Sequence, residues 1–393
     1  MVKKTFDEVV LFARTGLNPR DNFKLGNGSN KYITIKNIHN NEIIIDENTD
    51  VVDDAAIELI HKRSQIKKGD ILFCSIGRMG DMYIIPDEPQ GWDINESVFA
   101  FTVDTTLVRQ KYFYYVFKNR DTIEYLSRNS SGSTFKSIKM NQLKKMVFDL
   151  PSLDEQDAIV GVLDNLCGII QKREQELDEL DELIKARFVE MFGEPIANPK
   201  RWPIKRLKEL SSLITNGNTP KGGSENYVDK GITFLRSQNV WRNRIDLSDV
   251  AYIDENTHLS MKKSSVHHND ILITKTGRIN TENSSLGRAA LFTGEDNSAN
   301  INGHVYLVRL EKTVDPRFVV TILTGEAYRK YIRKVCVGGI DKRQINLDQV
   351  EDFPIILPPI EEQIQFAEIA RQIDKSKVVA EKNWNIHNVC LIA

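Results

Sequence analysis

Cysteine is scarce in this chain, which has four in 393 residues, namely Cys74, Cys167, Cys336 and Cys390. Their wide spacing excludes a disulfide framework and indicates no zinc site. Long apolar runs are also missing: no window is long enough to span a bilayer, and the N-terminal MVKKTFDEVVLF lacks the apolar core of a signal peptide. With 40% apolar and 27% charged residues, the composition is that of an ordinary globular protein, so we expect a cytoplasmic protein without membrane contact.

The chain also has no known catalytic signature. A phosphate loop ending in Gly-Lys-Ser/Thr, a His-Glu-x-x-His helix and a Gly-x-Ser-x-Gly elbow are absent, as are the Gly-rich methyl-donor loop and the Asn/Asp-Pro-Pro-aromatic motif. The adjacent His267 and His268 precede a predicted strand, where they would point to opposite faces, so we assign them to a turn rather than to a metal. We therefore expect a binding protein with no catalytic residue, no metal and no cofactor.

What the chain does contain is an internal repeat. The segment KKGDILFCSIGRMG at 67–80 is matched by HHNDILITKTGRIN at 267–280, and LPSLDEQ at 150–156 is matched by LPPIEEQ at 357–363. Three further pairs recur in the same order, and all offsets lie between 200 and 207 residues. Preserved order with small insertions is typical of two copies of one folded unit, and so long a period excludes a solenoid.

A single long helix is predicted after the first copy, because no proline occurs between Asp154 and Phe192. Apolar residues in this stretch follow the 4,3 spacing of a coiled coil at Ile159, Leu163, Leu166, Ile170, Leu177, Leu180, Ile184 and Met191. Arg173 and Arg187 take the two remaining positions of the seam. A helix of this length would extend roughly 55 Å.

A matching helix is predicted after the second Leu-Pro motif. Phe366, Ala370 and Ile373 occupy the positions that correspond to the first three seam residues of the earlier helix. The pattern supports this helix to about Lys382, after which both the heptad and the charge pattern are lost. Since each helix would cover the apolar seam of the other, we expect an antiparallel pair.

Basic and acidic residues are distributed unevenly between the repeated copies and the helix that connects them. Basic residues outnumber acidic ones by 24 to 18 between 196 and 357, whereas 151–195 has 4 basic and 12 acidic residues. Each copy mixes short β-like runs with helices, which is typical of an α+β fold. We therefore predict two mixed α/β domains in a pseudo-twofold repeat, at 1–150 and 196–357, separated by two long antiparallel coiled-coil helices at 151–195 and 358–393.

Polar side chains that recur beside the repeated strands are the candidate binding residues. Arg78 and Arg278 each follow a Gly after the repeated strand, and an arginine can donate two hydrogen bonds to a guanine or to a phosphate. The full set of candidates is Lys36, Arg78, Lys136, Lys139, Arg236, Gln238, Asn239, Lys275, Arg278, Lys342 and Arg343. The alternative is that the Gly-Arg pairs close hairpins and that the other residues are ordinary surface or strand-edge groups.

These features together resemble the specificity subunit of a type I restriction-modification system. The resemblance rests on the Leu-Pro…Glu-Gln motifs at 150–156 and 357–363, the Asp-Ile-Leu strands at 69–72 and 269–272, and WPIKRL at 202–207. It implies two target recognition domains, each reading one half of a bipartite site in double-stranded DNA. It also implies that the helices act as a spacer and dock two methyltransferase subunits, with restriction subunits as further partners.

Within the helices, the resemblance implies partner contacts at Glu155, Gln156, Ile159, Leu163, Glu362, Gln363 and Phe366. Two other interpretations stay open. A coiled-coil scaffold with two protein-binding domains would have no salt-dependent affinity for DNA, whereas a specificity subunit would. A nuclease or methyltransferase is the least favoured interpretation, because it would need the catalytic motifs that the sequence lacks.

Overall fold

The computed structural model describes residues 2–39, 41–132, 135–220, 222–281 and 283–392, with side chains described as far as residue 377. The side chain of Cys390 and the irregular pattern after Lys382 therefore lie outside the described residues. The chain forms two compact units, one of Met1–Lys172 with Trp384–Ala393 and one of Arg173–Asn383. In the part that is described, no helix is long and apolar enough to cross a membrane.

The first unit mixes short strands with helices of very different lengths. Its strands are β1 (Val2–Thr5), β2 (Val10–Thr15), β3 (Asn30–Ile33), β4 (Ile38–His39), β5 (Glu42–Ile43), β6 (Val51–Val52), β7 (Ile71–Cys74), β8 (Met82–Ile84), β9 (Trp92–Ile94), β10 (Val98–Val103) and β11 (Val147–Leu150). Its helices are α1 (Phe6–Val9), α2 (Asp54–Ser64), α3 (Gln110–Val116), α4 (Arg120–Asn129), α5 (Met140–Leu143) and the first half of α6 (Leu153–Phe192).

The second unit contains the rest of α6 and the elements that follow it. Its strands are β12 (Ile204–Arg206), β13 (Ser211–Asn216), β14 (Ile232–Leu235), β15 (Ala251–Ile253), β16 (Ile271–Thr274), β17 (Thr276–Arg278), β18 (Ala289–Leu291), β19 (Ala299–Ile301), β20 (Val305–Leu310), β21 (Val337–Gly338), β22 (Lys342–Gln344) and β23 (Pro354–Ile356). Its further helices are α7 (Glu255–Ser260), α8 (Pro316–Thr324), α9 (Glu326–Val335), α10 (Leu347–Glu351) and α11 (Ile360–Ile392), of which the residues from Trp384 onward belong to the first unit. Short 3-10 turns lie at Leu207–Leu210, Gly223–Asn226, Ser237–Asn239 and Lys262–Ser264.

Both units have the same scheme of strand pairing, which confirms the repeat that the sequence predicted. An antiparallel sheet of order β2-β10-β7-β8 in the first unit corresponds to β13-β20-β16-β18 in the second. A mixed sheet of order β6-β3-β9, in which β3 and β9 are parallel, corresponds to β15-β14-β19. The first and last strands of each unit also pair, as β1 with β11 and β12 with β23.

A buried ion pair occupies the same place in both antiparallel sheets. Asp70 accepts a hydrogen bond from Arg14 on β2 at 2.7 Å, whereas the equivalent Asp270 accepts one from Arg309 on β20 at 2.7 Å. The strand registers make Thr102 the counterpart of Arg309, and Thr102 also donates to Asp70 at 2.6 Å. Because both aspartate side chains are at most 1% exposed, each requires a nearby cation, and the two copies supply it from different strands.

Aromatic side chains form the centre of the core in the first unit. In the first unit, Phe6, Phe73, Phe101 and Phe113 form one cluster with ring centroids 5.2 to 6.3 Å apart among its contacting pairs. Such edge-to-face and tilted contacts are the geometry that aromatic rings prefer. The cluster lies between the four-stranded sheet and α3, so it fixes the helices that lead into α6.

Helices α6 and α11 run antiparallel within the second unit. Phe188 and Phe192 near the end of α6 pack on Phe366 near the start of α11, while Lys377 forms an ion pair with Asp181, about two to three turns earlier in α6. Apart from exposed Ile159, the seam positions along α6 are half-buried or buried, and most positions between them are exposed, as a coiled coil requires. The backbone of α11 continues to Ile392, beyond the predicted end at Lys382, because the tail contains neither proline nor glycine to stop it.

Candidate nucleic-acid interface

Strand pairing brings together two basic motifs of the second unit that are more than sixty residues apart in sequence. In the β17-β22-β21 sheet, Arg278 lies opposite Lys342 and Gly277 lies opposite Arg343. Residues directly opposite in an antiparallel pair share a face, so Arg278 and Lys342 project together. The ion pair of Arg278 with Asp341 spans 3.3 Å between side chains that are 69% and 51% exposed, so the guanidinium can exchange this partner for a phosphate.

The first unit joins the equivalent motifs in a simpler way. Ile76 forms an isolated antiparallel bridge with Ser137, and the Gly77 amide donates to the carbonyl of Lys136 at 3.2 Å. Exposed Arg78 therefore lies beside exposed Lys136, whose Nζ donates to the Ser127 hydroxyl at 3.1 Å. Both units thus place a Gly-Arg turn against a basic loop.

Three other predicted candidates lie near these motifs. Lys275 comes between β16 and β17, and its Nζ lies 5.6 Å from the ring centroid of Tyr306, a cation–π contact on a half-buried lysine. Burial raises the pKa of Tyr306 to about 12. Arg343 is half-buried and its Nε donates to the Gly339 carbonyl at 3.1 Å, whereas Lys139 is exposed at the start of α5. Lys275 and Lys139 are therefore accessible to a ligand, and Arg343 mainly holds its own hairpin.

The polar residues after β14 hold a loop in place. The Arg236 guanidinium donates to the Asp249 carbonyl at 2.8 Å, and the Gln238 amide donates to the Asp249 carboxylate at 2.7 Å. Asn239 is 2% exposed, and its amide donates to the carbonyls of Asp246 and Asp249 at 3.0 and 2.8 Å. The prediction that Asn239 reads bases is therefore corrected, because its side chain is buried and committed to the loop.

The first unit has the same loop arrangement at the equivalent positions. Asn37, the counterpart of Asn239, is 8% exposed and donates to the Ile44 carbonyl at 3.1 Å. Lys36, the counterpart of Gln238, is exposed in the turn. A buried asparagine therefore shapes each turn, and the exposed residue before it remains a candidate contact.

A cationic aromatic cluster in the second unit was missed from the sequence. The Trp241 ring has the Arg288 guanidinium 3.9 Å from its centroid and that of Arg244 at 5.4 Å. Arg288 is 8% exposed, and its pKa is lowered by burial and by the charges of Arg242 and Arg329. Among the described residues, neither Arg242 nor Arg288 forms an ion pair with a carboxylate. This cluster is therefore a concentrated positive charge, and the sequence signal for it was Trp-Arg-x-Arg at 241–244.

The cluster opens onto a cavity of about 420 Å³ that also includes two predicted candidates. Trp241 and Arg288 line it together with Gln238, Arg278 and the hydroxyl-bearing segment 284–285. Hydroxyl, amide and guanidinium groups are the donors that proteins direct at phosphates and base edges. The residues that the structure describes contain no group of three or more His, Cys, Asp and Glu side chains able to hold a metal.

Both glutamines of the Leu-Pro…Glu-Gln motifs have an internal role rather than the expected partner contact. Gln156 is fully buried: its amide donates to the carbonyls of Leu107 and Pro151, and its oxygen accepts from the Arg109 amide at 2.8 Å. Gln363 repeats this, since its oxygen accepts from the Asp315 amide at 3.1 Å and its amide donates to Pro358 at 2.7 Å. Each glutamine connects the start of its long helix to a loop of the same unit by hydrogen bonds. Because the side chain is buried, it has no surface for contact with a partner.

The other helix candidates divide in the same way between internal and exposed positions. Phe366 is fully buried among phenylalanines, so its expected partner contact is corrected as well, because no surface of it reaches solvent. Glu155 is exposed and accepts from the Ser152 amide at 2.8 Å, a hydrogen bond that lowers its pKa, while Glu362 is half-buried. Ile159 is 39% exposed and lines, with Leu163, a groove of about 380 Å³ against α3 and α4.

Several known proteins are similar in sequence. The family model described as type I restriction modification DNA specificity domain matches residues 1–182 and 199–387. The MjaIX specificity subunit of Methanocaldococcus jannaschii is 29% identical over 189 residues, which are 43% of this chain and 42% of that protein. The EcoBI specificity subunit of Escherichia coli is 22% identical over 309 residues, 72% of this chain and 62% of that protein. The chain thus spans less than two thirds of the length of either relative.

Solved structures share the fold at low sequence identity. The S subunit of a type I restriction-modification system from M. genitalium has a TM-score of 0.54 at 14% identity, covering 99% of this chain and 93% of that one. A chain from a type I R-M system, solved to explain complex assembly and conformational transition, has a TM-score of 0.51 at 15% identity, covering 99% and 94%. Since the family model matches almost the whole chain in two successive copies, the chain belongs to the family of type I restriction-modification DNA specificity proteins.

Proposed function

We propose that this chain is the DNA-reading subunit of a type I restriction-modification complex and catalyses no reaction itself. Each unit reads one half of a bipartite site in double-stranded DNA. The long helices dock two methyltransferase subunits, and restriction subunits join the same complex. The chain works in the cytoplasm, where the cell's own DNA and incoming DNA are accessible.

One observation supports this proposal most strongly. In both units, backbone pairing joins a Gly-Arg turn to a basic loop from a distant part of the sequence, as Arg78 with Lys136 and Arg278 with Lys342. These side chains are exposed, so the cations are available to a polyanion. Contacts of this kind fix a protein on the phosphate backbone, while neighbouring loops read the bases.

The two half-sites should differ in sequence, because equivalent positions carry opposite chemistry. The strand registers make Asp81 the counterpart of Arg288 in the first unit. His39 is the counterpart of Trp241, since each lies two residues after the buried asparagine of its loop, Asn37 or Asn239. His39 Nδ1 lies 3.3 Å from the Asp81 carboxylate, which also pairs with Lys118 at 3.4 Å. A carboxylate suits a cytosine amino group and an arginine suits a guanine, so one scaffold presents two different readers.

The helices suit the role of a spacer with docking surfaces. With 40 residues, α6 is about 60 Å long, which is enough to span half-sites separated by about one to one and a half turns of DNA at ~34 Å per turn. Exposed Ile159 and the groove it shares with Leu163 offer apolar surface to a docked subunit. The DNA between the half-sites would go unread.

Selection from a random DNA library tests the proposal. The full chain, tagged and purified from its own cells with whatever co-purifies, is incubated with the library at low and at moderate salt. We expect methyltransferase subunits in the purified complex, and a split motif with a fixed unread gap among the selected sequences. Retention of DNA without any motif, or of none at all, would favour the scaffold interpretation over a specificity subunit.

A further inference from the structure

Two hairpin tips, one in each unit, expose a large apolar side chain beside the basic contacts. Phe135 is 66% exposed and Ile340 is 90% exposed, the largest exposures of any apolar side chain described in its unit. A lysine follows each, at Lys136 directly and at Lys342 two residues on. Exposing such groups to water is unfavourable, and among the residues that the structure describes none covers them.

The tips are held by specific backbone structure. Ser131 and Ser137 exchange two backbone hydrogen bonds of 2.9 and 2.8 Å across the first tip. Gly132 opens this turn with φ of 113°, and a Cβ there would lie 2.2 Å from the Phe135 carbonyl oxygen. A side chain at position 132 would therefore strain this backbone, which favours glycine there.

The second tip has the same construction. Gly338 has φ of 129°, and a Cβ on it would lie 2.9 Å from the Lys342 carbonyl oxygen. The Gly339 amide donates to the Lys342 carbonyl at 3.2 Å, and the Ile279 amide donates to the Asp341 backbone carbonyl at 3.0 Å. Ile340 therefore stands at the end of a closed hairpin that is attached to the β17 strand.

The two tips are equivalent positions of the repeat. Each loop ends in a buried isoleucine, Ile138 or Ile345. Its backbone amide donates a hydrogen bond of 2.9 Å to the carbonyl of the residue after the repeated strand, which is Ser75 in the first unit and Lys275 in the second. Isolated apolar residues are common on protein surfaces. Here, however, both copies place one in the equivalent loop among exposed cations, three residues before Ile138 and five residues before Ile345, which indicates a shared use.

We propose that Phe135 and Ile340 are wedges that insert between stacked base pairs, one in each half of the DNA site. Arg78 and Lys136, and likewise Arg278 and Lys342, would hold the phosphates on either side of the opened step. Proteins that unstack DNA combine an apolar wedge with flanking cations in this way. The inference rests on the proposed function and adds to it a deformation of the DNA at defined steps.

Fluorescence of 2-aminopurine tests the proposal, because this base brightens when it is unstacked. A duplex with the selected site carries the probe at one position at a time, and the purified complex with the full chain is added. We expect brightening at one step in each half-site. Ile340→Ala should abolish it in one half and weaken binding about tenfold, while Ile340→Phe retains both effects. Phe135→Ala should act on the other half alone.

Matched controls are exposed apolar residues outside the tips. Leu259→Ala in the second unit and Ile123→Ala in the first remove side chains that are 48% and 51% exposed, and both should leave binding and brightening unchanged. Tight, specific binding without brightening at any step, or equal binding by Ile340→Ala, would overturn the wedge while leaving the proposed function intact. Absence of specific binding by the unaltered chain would overturn both. A lowered melting temperature for Ile340→Ala would show instead that the tip is structural.

Discussion

Removing Arg278 and Lys342 should change the salt dependence of DNA binding without changing the fold. Both side chains are exposed and project from one face of a small sheet. The ion pair of Arg278 with Asp341 is highly exposed, so its loss has little effect on stability. We therefore expect Arg278→Gln and Lys342→Gln, alone and together, to melt at the temperature of the unaltered chain.

The magnitude follows from counterion release. Each phosphate contact contributes about 0.9 to the slope of log affinity against log salt concentration. The double variant should therefore lose about 1.8 from the slope. Between 50 and 200 mM salt, this makes the affinity of the unaltered chain fall about tenfold further than that of the double variant. If Arg278 reads a guanine instead, the single variant should lose about 1–3 kcal/mol of affinity at one position of the site only.

Binding isotherms by fluorescence anisotropy at four salt concentrations measure this slope. Lys312→Gln is the matched control, since this exposed lysine lies in the turn before α8 and is not part of the β17-β22-β21 sheet. Its slope should equal that of the unaltered chain. An unchanged slope in the double variant, or the same decrease in the Lys312 variant, would refute the assignment of these cations to phosphate contact.

Three further predictions concern the scaffold, and chemical denaturation of the full chain measures each. Arg14→Thr should destabilise the first unit by about 3–5 kcal/mol, because buried Asp70 loses its cation. Adding Thr102→Arg should restore the stability, because it reproduces the arrangement of the second unit. Failure of that rescue would contradict the equivalence of the two sheets. Gln363→Ala should cost about 1–3 kcal/mol by leaving buried backbone groups unpaired, and an unchanged midpoint would contradict the internal role of this glutamine. Phe188→Ala should cost about 3–5 kcal/mol through the cavity between α6 and α11, and a loss well below 1 kcal/mol would argue against this helix contact.

Features that depend on local periodicity were accessible from the sequence. The 3.5-residue spacing of apolar positions predicted α6, and the ordered repeats predicted two copies with the same strand pairing. Both patterns can be read in the sequence because the side chains that face the core recur at a fixed spacing in each helix and each strand. The Leu-Pro motif likewise located the start of each long helix.

Features that depend on distant residues were not accessible. In the sequence, Gln156 and Gln363 are simply polar residues near the start of a helix. Only the fold reveals that their side chains are buried and hydrogen-bonded to backbone groups of Leu107, Arg109 and Asp315. Asn239 gave the same misleading signal, since polarity alone does not distinguish a loop-holding amide from an exposed one. The contact between Trp241 and Arg288 joins residues 47 positions apart, beside the hydrogen bond from the Asn243 amide to the Ala289 carbonyl, and sequence spacing does not encode it.

The methylated motifs of the source cell's genome test the central claim most directly. Sequencing that detects modified bases is run on the cell with the intact gene for this chain and on a strain from which the gene is deleted. We predict a bipartite motif with two unlike halves, a fixed unread gap and a methylated adenine in each half, all lost on deletion. A contiguous motif, two identical halves, or a methylation pattern that survives deletion would contradict two different readers joined by one spacer.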